Sequence, residues 1–316
     1  MFLHSGFSRF TLTLLLGCTA LSEAACAHGV AGNRFFPATL ATDDPFVADE
    51  LSLPTLYQRR TRDAEGLQIL RTSVSVDFSK RLTTNLGVGL GTTYRWLRPD
   101  DGRVQNGFDN SSANLKYQFY QDGEHETILS VGIDWEIGGS GAKRINAESF
   151  GTITPRAFFG KGFGDLPDAI RYLRPLALTG SAGLAVPTRS STTTFGMGGD
   201  PSTERHAKIV QLGFAVEYSL PYLQSFVRDV GWRAPFSHII PLVEVSVQKP
   251  FGRDRGPTTG TINPGVVIPG KTMQFGIEAV IPINGRNGSR TGVLMQLHFF
   301  LDDLFPTSVG RPLFVN

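Results

Sequence analysis

Ten charged or histidine side chains stand at positions from which they could bind a solute, select ions or move a proton. Carboxylates and an imidazole can act as general acid and base, and groups of mixed sign can orient dipoles or filter ions. Pairing between opposite charges, which would fill and stiffen the fold, is the alternative role. The ten residues are Arg71, Asp77, Arg95, Lys116, Asp134, Glu136, Glu217, Glu244, Glu278 and His298.

His298 is the residue on which a catalytic hypothesis depends. An imidazole beside a carboxylate can transfer protons during hydrolysis, and Asp134 and Glu136 are the acids considered for that role. His206, in a predicted loop, is a second candidate. The sequence therefore keeps a hydrolase with an acid/His site as one alternative, in which replacing His298 by alanine removes activity without unfolding the chain.

Motifs for nucleophilic, phosphate-binding and metal chemistry are weak. The sequence T-G-S-A-G at 179–183 misses G-x-S-x-G by one position and lies in a predicted strand, not at a strand-to-helix turn. Gly87, Gly89 and Gly91 recur at every second residue, whereas a dinucleotide site needs G-x-G-x-x-G before a helix. We therefore predict no catalytic residue, no cofactor and no metal site.

Residues 1–27 have the organisation of a cleaved export signal. A basic region with Arg9 precedes the apolar stretch 10–21, and Ala-Cys-Ala at 25–27 offers the small residues that signal peptidase reads. The apolar stretch is too short for a membrane anchor, because a helical span needs about 20 residues. We predict cleavage before His28.

The two cysteines both lie within this predicted signal. Removal of Cys18 and Cys26 would leave a chain with no thiol for a disulfide, for catalysis or for metal binding. The sequence L-L-G-C at 15–18 also loosely matches a lipoprotein signal, in which Cys18 would be acylated. Both forms of processing stay open.

The composition excludes helical membrane spans. After residue 21, no stretch approaches the roughly 18 consecutive apolar residues that such a span requires. Charged residues are 18% of the chain, the formal net charge is +2, and no basic stripe interleaved with aromatic residues indicates nucleic-acid binding. A soluble β protein or a membrane β-barrel remains.

Alternation of apolar and polar residues is the strongest pattern in the chain. Successive side chains of a β-strand point to opposite faces, so Leu70, Val74 and Val76 share one face and Arg71 and Asp77 the other. Ten segments have this pattern, least clearly at 149–160: 70–79, 82–96, 114–119, 129–137, 149–160, 174–186, 208–219, 243–248, 271–283 and 293–299.

A transmembrane barrel explains these segments better than a soluble sandwich does. Sandwich strands are usually about 5 to 6 residues long, whereas these segments run longer and their polar faces are small and glycine-rich. We therefore predict an all-β fold, an antiparallel transmembrane β-barrel, with the ten charged or histidine side chains lining its lumen. In a barrel of this size we favour pairing among those charges.

The number of strands follows from the connections. Short turns are predicted at 79–83, 121–124 and 284–288, long loops at 97–109, 138–148, 187–206 and 249–270, and brief amphipathic helices at 165–174 and 221–233. If the short turns face the periplasm, ten strands would leave both termini outside the cell, which the assembly route of such barrels disfavours. Twelve strands are therefore favoured over ten, with 54–60 as an early strand and the tail as a poorer candidate for the last.

The predicted organisation has four parts. Residues 1–27 are the signal, 28–66 a periplasmic segment that forms a plug or a first strand, 67–301 the barrel, and 302–316 a tail or short last strand.

Two segments carry a resemblance to a known family. The strand-turn sequence F-S-K-R-L-T-T-N-L-G-V-G at 78–89 resembles the repeated unit of transporter-like outer-membrane barrels associated with phenol meta-pathway degradation, relatives of fatty-acid channels. The segment 290–299 is similar to the signal by which the barrel assembly machinery recognises a last strand, although a tail follows it here. The resemblance implies passive passage of a small solute, hydrophobic ones included, without a cofactor.

Passage of a small solute across the outer membrane is the function that the sequence favours. A structural or partner-binding barrel and an outer-membrane hydrolase are the alternatives. The expected partners are outer-membrane lipid, the barrel assembly machinery during biogenesis and an unidentified small molecule, with no nucleic acid.

Overall fold

Twelve long antiparallel strands close into a barrel in the computed structural model, which describes residues 29–62, 66, 68–100, 102–195, 200–252, 256–285 and 290–314. Each strand pairs with the next along the chain, and the last pairs with the first. The predicted twelve-stranded barrel is confirmed, while the predicted signal 1–27 lies outside the described residues. The strands are β1 Glu50–Arg62, β2 Gln68–Arg81, β3 Leu86–Pro99, β4 Ser112–Asp122, β5 Thr127–Glu136, β6 Thr152–Gly162, β7 Leu176–Pro187, β8 Lys208–Tyr218, β9 Ile240–Phe251, β10 Thr259–Pro269, β11 Met273–Pro282 and β12 Gly292–Phe300.

The outer surface of the barrel is apolar. On β5, Val131, Ile133 and Trp135 are 44%, 42% and 49% exposed, whereas the alternate residue Ser130 is buried. A band of exposed apolar side chains around a closed barrel is suited to acyl chains, because water would be ordered unfavourably around it. No helix in the part of the chain that the structure describes is long and apolar enough to cross a membrane.

Two strands lie outside the ten alternating segments. The early strand predicted at 54–60 is confirmed as part of β1. The predicted loop 249–270 is wrong, since half of it forms β10. The described tail contains the helix Leu301–Leu304 and turns but no strand. Pro264 and its neighbouring glycine are typical of loops and conceal the alternation in β10, yet Pro264 pairs in register with Val243 of β9.

The connections divide between two ends of the barrel. Those after β2, β4, β6, β8 and β10 define the turn end, where β1 also begins and β12 stops; the others define the loop end. The turn predicted at 284–288 lies in the β11–β12 connection, which is at the loop end. The other two predicted short turns, 79–83 and 121–124, are at the turn end. Each strand crosses the barrel once, so missing β10 reverses the end assigned to every later connection.

Small strands and short helices lie in the connections beyond the wall. The β3–β4 connection contains the strand Gln105–Phe108, and the β7–β8 connection contains the hairpin Ser191–Phe195 with Pro201–Arg205. At the turn end, a 3-10 helix covers Asp168–Leu173 and a short helix begins at Leu220–Tyr222. The first lies within the predicted helical segment 165–174, and the second overlaps the start of the predicted segment 221–233.

Candidate functional site

Residues 36–47, called here the inner segment, run inside the barrel ahead of β1. Glu244 of β9 is fully buried and binds this segment through four hydrogen bonds. Its carboxylate accepts the backbone N–H groups of Leu40, Ala41 and Thr42 at 2.6, 3.0 and 2.6 Å, and the Thr42 hydroxyl at 2.8 Å. Three consecutive N–H groups converge on Glu244 as they would on a bound anion.

Side chains of other strands bind the same segment. Gln274 of β11 donates its amide to the carbonyl of Ala38 at 2.7 Å, and the Ser130 hydroxyl of β5 donates to the carbonyl of Pro45. Lys116 of β4 donates to the Asp43 carboxylate at 2.9 Å. The inner segment is therefore attached to strands on several sides of the lumen.

Four inward glycines make room for the inner segment. A Cβ added at any of them would lie closer to the segment than the roughly 3.5–4.0 Å that carbon atoms prefer. The distances from such a Cβ are 2.9 Å from Gly87 to Val47, 3.1 Å from Gly160 to Pro45, 2.9 Å from Gly213 to Thr42 and 2.6 Å from Gly276 to Leu40. The shape of the wall is thus matched to the segment.

A buried cluster of Arg34, Glu126 and Tyr222 lies at the turn end of the barrel. Arg34 Nε donates to Glu126 at 3.2 Å, and its guanidinium carbon lies 3.9 Å from the centre of the Tyr222 ring. The Tyr222 hydroxyl donates to the other oxygen of Glu126 at 3.0 Å. Burial, together with the neighbouring Glu126 carboxylate, raises the pKa of Tyr222 to about 12.

A second buried cluster fixes the start of β1. Both oxygens of Asp49 are engaged, by Lys80 Nζ at 2.7 Å and by Arg81 Nε at 2.8 Å. Arg81 also donates to the carbonyl of Gly310 at 3.0 Å, so the tail is attached at the same place. Asp49, Arg34 and Glu126 are not among the residues predicted from the sequence, because charged residues near strand ends usually lie in exposed turns.

A polar cavity of about 500 Å³ lies beside the inner segment within the barrel. Its walls are inward side chains of many strands, among them Asp77, Asn114, Asp134, Arg156 and Gln211. Its floor is the stretch 38–44 of the inner segment.

Asp44, in the floor of the cavity, is a carboxyl group with a shifted pKa. Burial raises the pKa of Asp44 to about 7, against the opposing effect of Lys116. Glu50 and Asp43 add to the upward shift, because their negative charges disfavour a further ionised carboxylate.

Apart from His298, which is described below, three of the ten predicted residues form ion pairs. Arg95 pairs with Asp109, Lys116 with Asp43, and Asp134 with Arg156 at 2.8 Å. Arg156 of β6 also donates to Gln211 of β8 at 2.8 Å.

The other predicted residues meet uncharged partners or line the lumen. Glu136 accepts a hydrogen bond from Asn110, and Glu278 one from Asn263, each at 3.1 Å. Asp77 lines the cavity, Glu217 is buried, and Arg71 lies near Arg95. No group of three metal-binding side chains suited to an ion occurs among the described residues.

The predicted pairing of His298 with Asp134 or Glu136 is wrong. His298 Nδ1 lies 2.9 Å from the Ser52 hydroxyl, and its Nε2 lies 3.7 Å from the Glu50 carboxylate. β12 and β5 are separated by four strands in the barrel order, so His298 cannot reach those acids.

The Ser52, His298 and Glu50 arrangement is the reverse of a serine hydrolase triad. In such a triad the hydroxyl bonds Nε2 and the carboxylate bonds Nδ1. The second candidate, His206, contacts the Thr192 hydroxyl at 2.8 Å and stacks on Phe150. Neither histidine therefore has the geometry of a hydrolytic site.

Comparison with known proteins identifies the fold. No protein-family model and no curated protein sequence matches the chain. An outer membrane channel from Pseudomonas putida F1 superposes with a TM-score of 0.54 and 11% identity, over 80% of this chain and 96% of that one. The fold is that of an outer-membrane β-barrel.

Two autotransporter barrels are also similar to this barrel. The β domain of the Bordetella autotransporter BrkA gives a TM-score of 0.48 with 12% identity, covering 80% of this chain and 99% of that one. The translocator domain of NalP from Neisseria meningitidis gives 0.46 with 9% identity, covering 81% and 90%. The resemblance to the phenol meta-pathway family stays a prediction.

Proposed function

We propose that this barrel is an outer-membrane channel for a small polar solute. The observation that carries the proposal is the polar cavity of about 500 Å³ inside the closed barrel. Asp77 and Asn114 in its lining can exchange hydrogen bonds with a hydrated solute, whereas an apolar solute would displace their water at a cost. The lining therefore favours a polar solute over the hydrophobic one that the family resemblance implies.

The charge of the cavity favours cations or neutral molecules. Its lining includes the carboxylates of Asp43, Asp44, Glu50, Asp77 and Asp134. Arg156 and His298 are the basic side chains that line it. Rings of acidic side chains select cations in channels, so anions should pass least readily.

The inner segment must leave its position for a solute to pass. It forms the floor of the cavity, and its described attachments to the wall are hydrogen bonds, ion pairs and packing contacts, all of them reversible. Displacement would open a path from the cavity toward the turn end. We therefore propose that the inner segment is the gate of the channel.

A disulfide lock tests this gate. A Cβ at position 213 would lie 3.2 Å from the Cβ of Thr42. This is a few tenths of an ångström shorter than the Cβ–Cβ distance of roughly 3.5–4.5 Å in disulfides. The variant T42C/G213C should form a disulfide after oxidation. If the predicted signal is removed, no native cysteine remains to compete for that disulfide, because both native cysteines lie in the signal. In planar bilayers, we expect low conductance when it is oxidised and higher, cation-selective conductance after reduction.

The two single variants, T42C and G213C, are the matched controls and should not respond to the redox state. Equal conductance of the oxidised and reduced double variant would rule out the gate but not the channel. Absence of conductance in every variant, opened or locked, would rule out the channel itself.

A structural or partner-binding barrel is the second candidate. The observation that favours it is the inner segment, which occupies the lumen and is hydrogen-bonded to Glu244, Lys116 and Gln274 of the wall. This role predicts no conductance even after the inner segment is released.

A further inference from the structure

The two helical connections at the turn end expose a group of large apolar side chains. Tyr172 and Leu173 in the β6–β7 connection are 45% and 46% exposed, and Phe226, Trp232 and Phe236 in the β8–β9 connection are 51%, 50% and 62% exposed. These fractions match those of the outer barrel surface, where Val216 is 49% exposed. We call these five side chains, with Arg171, Arg228 and Arg233, the rim patch.

The rim patch is one face of an amphipathic structure. The opposite face of the β8–β9 connection is buried, with Tyr222 and Leu223 packed on the barrel end. Ser219 caps the helix by accepting the N–H of Tyr222 at 3.2 Å, and Gln224 accepts the N–H of Trp232 at 3.0 Å. The fold therefore holds the aromatic side chains on the outside.

The rim patch continues the apolar outer surface of the barrel. Leu212, Phe214 and Val216 form an exposed row on β8 that leads to Tyr218 at the turn end. The Tyr218 hydroxyl donates to the carbonyl of Tyr172 at 3.0 Å, so the row passes directly into the patch.

Arginines lie among these aromatic side chains. Arg228 donates to the Tyr172 hydroxyl at 3.3 Å, and the Arg171 guanidinium carbon lies 5.3 Å from the centre of the same ring. Arg233 follows Trp232 directly and is exposed. Of the nearby acids, Asp168 is paired with Arg174 at 3.0 Å and Asp229 accepts the N–H of Gly231 at 2.8 Å.

We propose that the rim patch binds anionic phospholipid at the membrane surface around the turn end of the barrel. Amphipathic segments with aromatic residues on one face and basic residues beside them lie in the headgroup region of bilayers. Arginine attracts the phosphate and the net negative charge of an anionic headgroup. The inference rests on the proposed membrane location, and it adds a lipid site to a channel.

Tryptophan fluorescence tests this site because the chain has three tryptophans, Trp96, Trp135 and Trp232. The variant W96F/W135F keeps Trp232 as the single emitter. It is reconstituted into vesicles that contain phosphatidylcholine and phosphatidylglycerol, with bromine on the acyl chains of one lipid at a time. We expect brominated phosphatidylglycerol to quench Trp232 about twofold more than brominated phosphatidylcholine at the same fraction. Adding R171Q/R228Q/R233Q should remove that difference.

The matched control is W96F/W232F, which keeps Trp135 on the lipid-facing side of β5. Trp135 should be quenched equally by both lipids, with or without the arginine substitutions. Quenching of Trp135 without quenching of Trp232 would overturn the rim site alone. Equal quenching of Trp232 by both lipids would overturn its selectivity for anionic lipid. If neither tryptophan were quenched, the membrane location would fail, and the proposed channel with it.

Discussion

At the scale of the residue, Glu244 is the most informative side chain. It is a fully buried carboxylate whose hydrogen bonds come from peptide N–H groups and a hydroxyl of the inner segment. Hydrogen bonds to a charged group contribute more than neutral ones, about 1.5–3 kcal/mol each. The identity of this one side chain therefore affects how firmly the inner segment is bound.

Replacement of Glu244 by glutamine should loosen the inner segment without unfolding the barrel. One carboxylate oxygen becomes an N–H donor that faces other donors, so we expect the docked state to lose about 2 kcal/mol, roughly 30-fold in population. Hydrogen exchange of the amides of residues 40–42 measures this change. E136Q is the control, because Glu136 contacts Asn110 and not the inner segment. Unchanged exchange in E244Q would contradict the anchoring role.

Asp44 should make docking of the inner segment depend on pH. Its pKa is raised by burial to about 7 in the docked state, against an ordinary value of 3.8. Docking is therefore strongest below about pH 4, where Asp44 is protonated in both states, and weakens as pH rises through 7. Hydrogen exchange of residues 40–47, corrected for its intrinsic pH dependence, should show this loss. In D44N, the hydrogen exchange of these residues should depend less on pH. If D44N kept the pH dependence of the unsubstituted chain, another group would be responsible for it.

At the scale of the element, alternate residues of each strand have different roles. The outward residues form the apolar surface, while inward glycines shape a groove for the inner segment. Glycine weakens a strand, since it loses more conformational freedom and packs no side chain. Close approach of the inner segment is the physical reason for glycine at these positions.

Gly276 and Leu40 should therefore be coupled. A Cβ at 276 would lie 2.6 Å from Leu40 Cδ1, so G276A should displace the inner segment and raise conductance in planar bilayers. L40A removes the side chain that the new methyl group meets. The double variant G276A/L40A should return toward the conductance of L40A alone. Additive effects of the two substitutions would show that this contact does not hold the gate.

At the scale of the whole molecule, the closed barrel and the inner segment are separable. The barrel satisfies its backbone hydrogen bonds by pairing every strand, including β1 with β12, as a spanning structure must. The inner segment adds a floor to the lumen but no strand to this wall.

Deletion of residues 36–47 should leave a folded barrel. We expect the shortened chain to remain in the outer-membrane fraction, to run as a heat-modifiable band on gels and to conduct more than the intact chain. The intact chain, purified in parallel, is the control. Recovery of either chain as a soluble, folded monomer without detergent would contradict the membrane barrel.

Most of the barrel could be predicted because strand alternation is a local property. Each of the ten segments with alternating residues coincides with a strand over most of its length, and 54–60 lies in β1. β10 was missed because Pro264 and Gly265 weaken its pattern, although pairing with β9 and β11 imposes the strand. The contacts of His298 were mispredicted because they depend on which strands are neighbours, and spacing along the chain does not record that.

The sequence by itself determined the class of fold and which side chains alternate between the two faces, since both follow from a period of two along each strand. Only the tertiary structure decided what the inward groups meet. The backbone of residues 40–42 binds Glu244 some two hundred positions away in the chain, and the glycines opposite the inner segment are explained by that same closure. Such contacts arise when the wall closes around a segment that has no periodic pattern of its own.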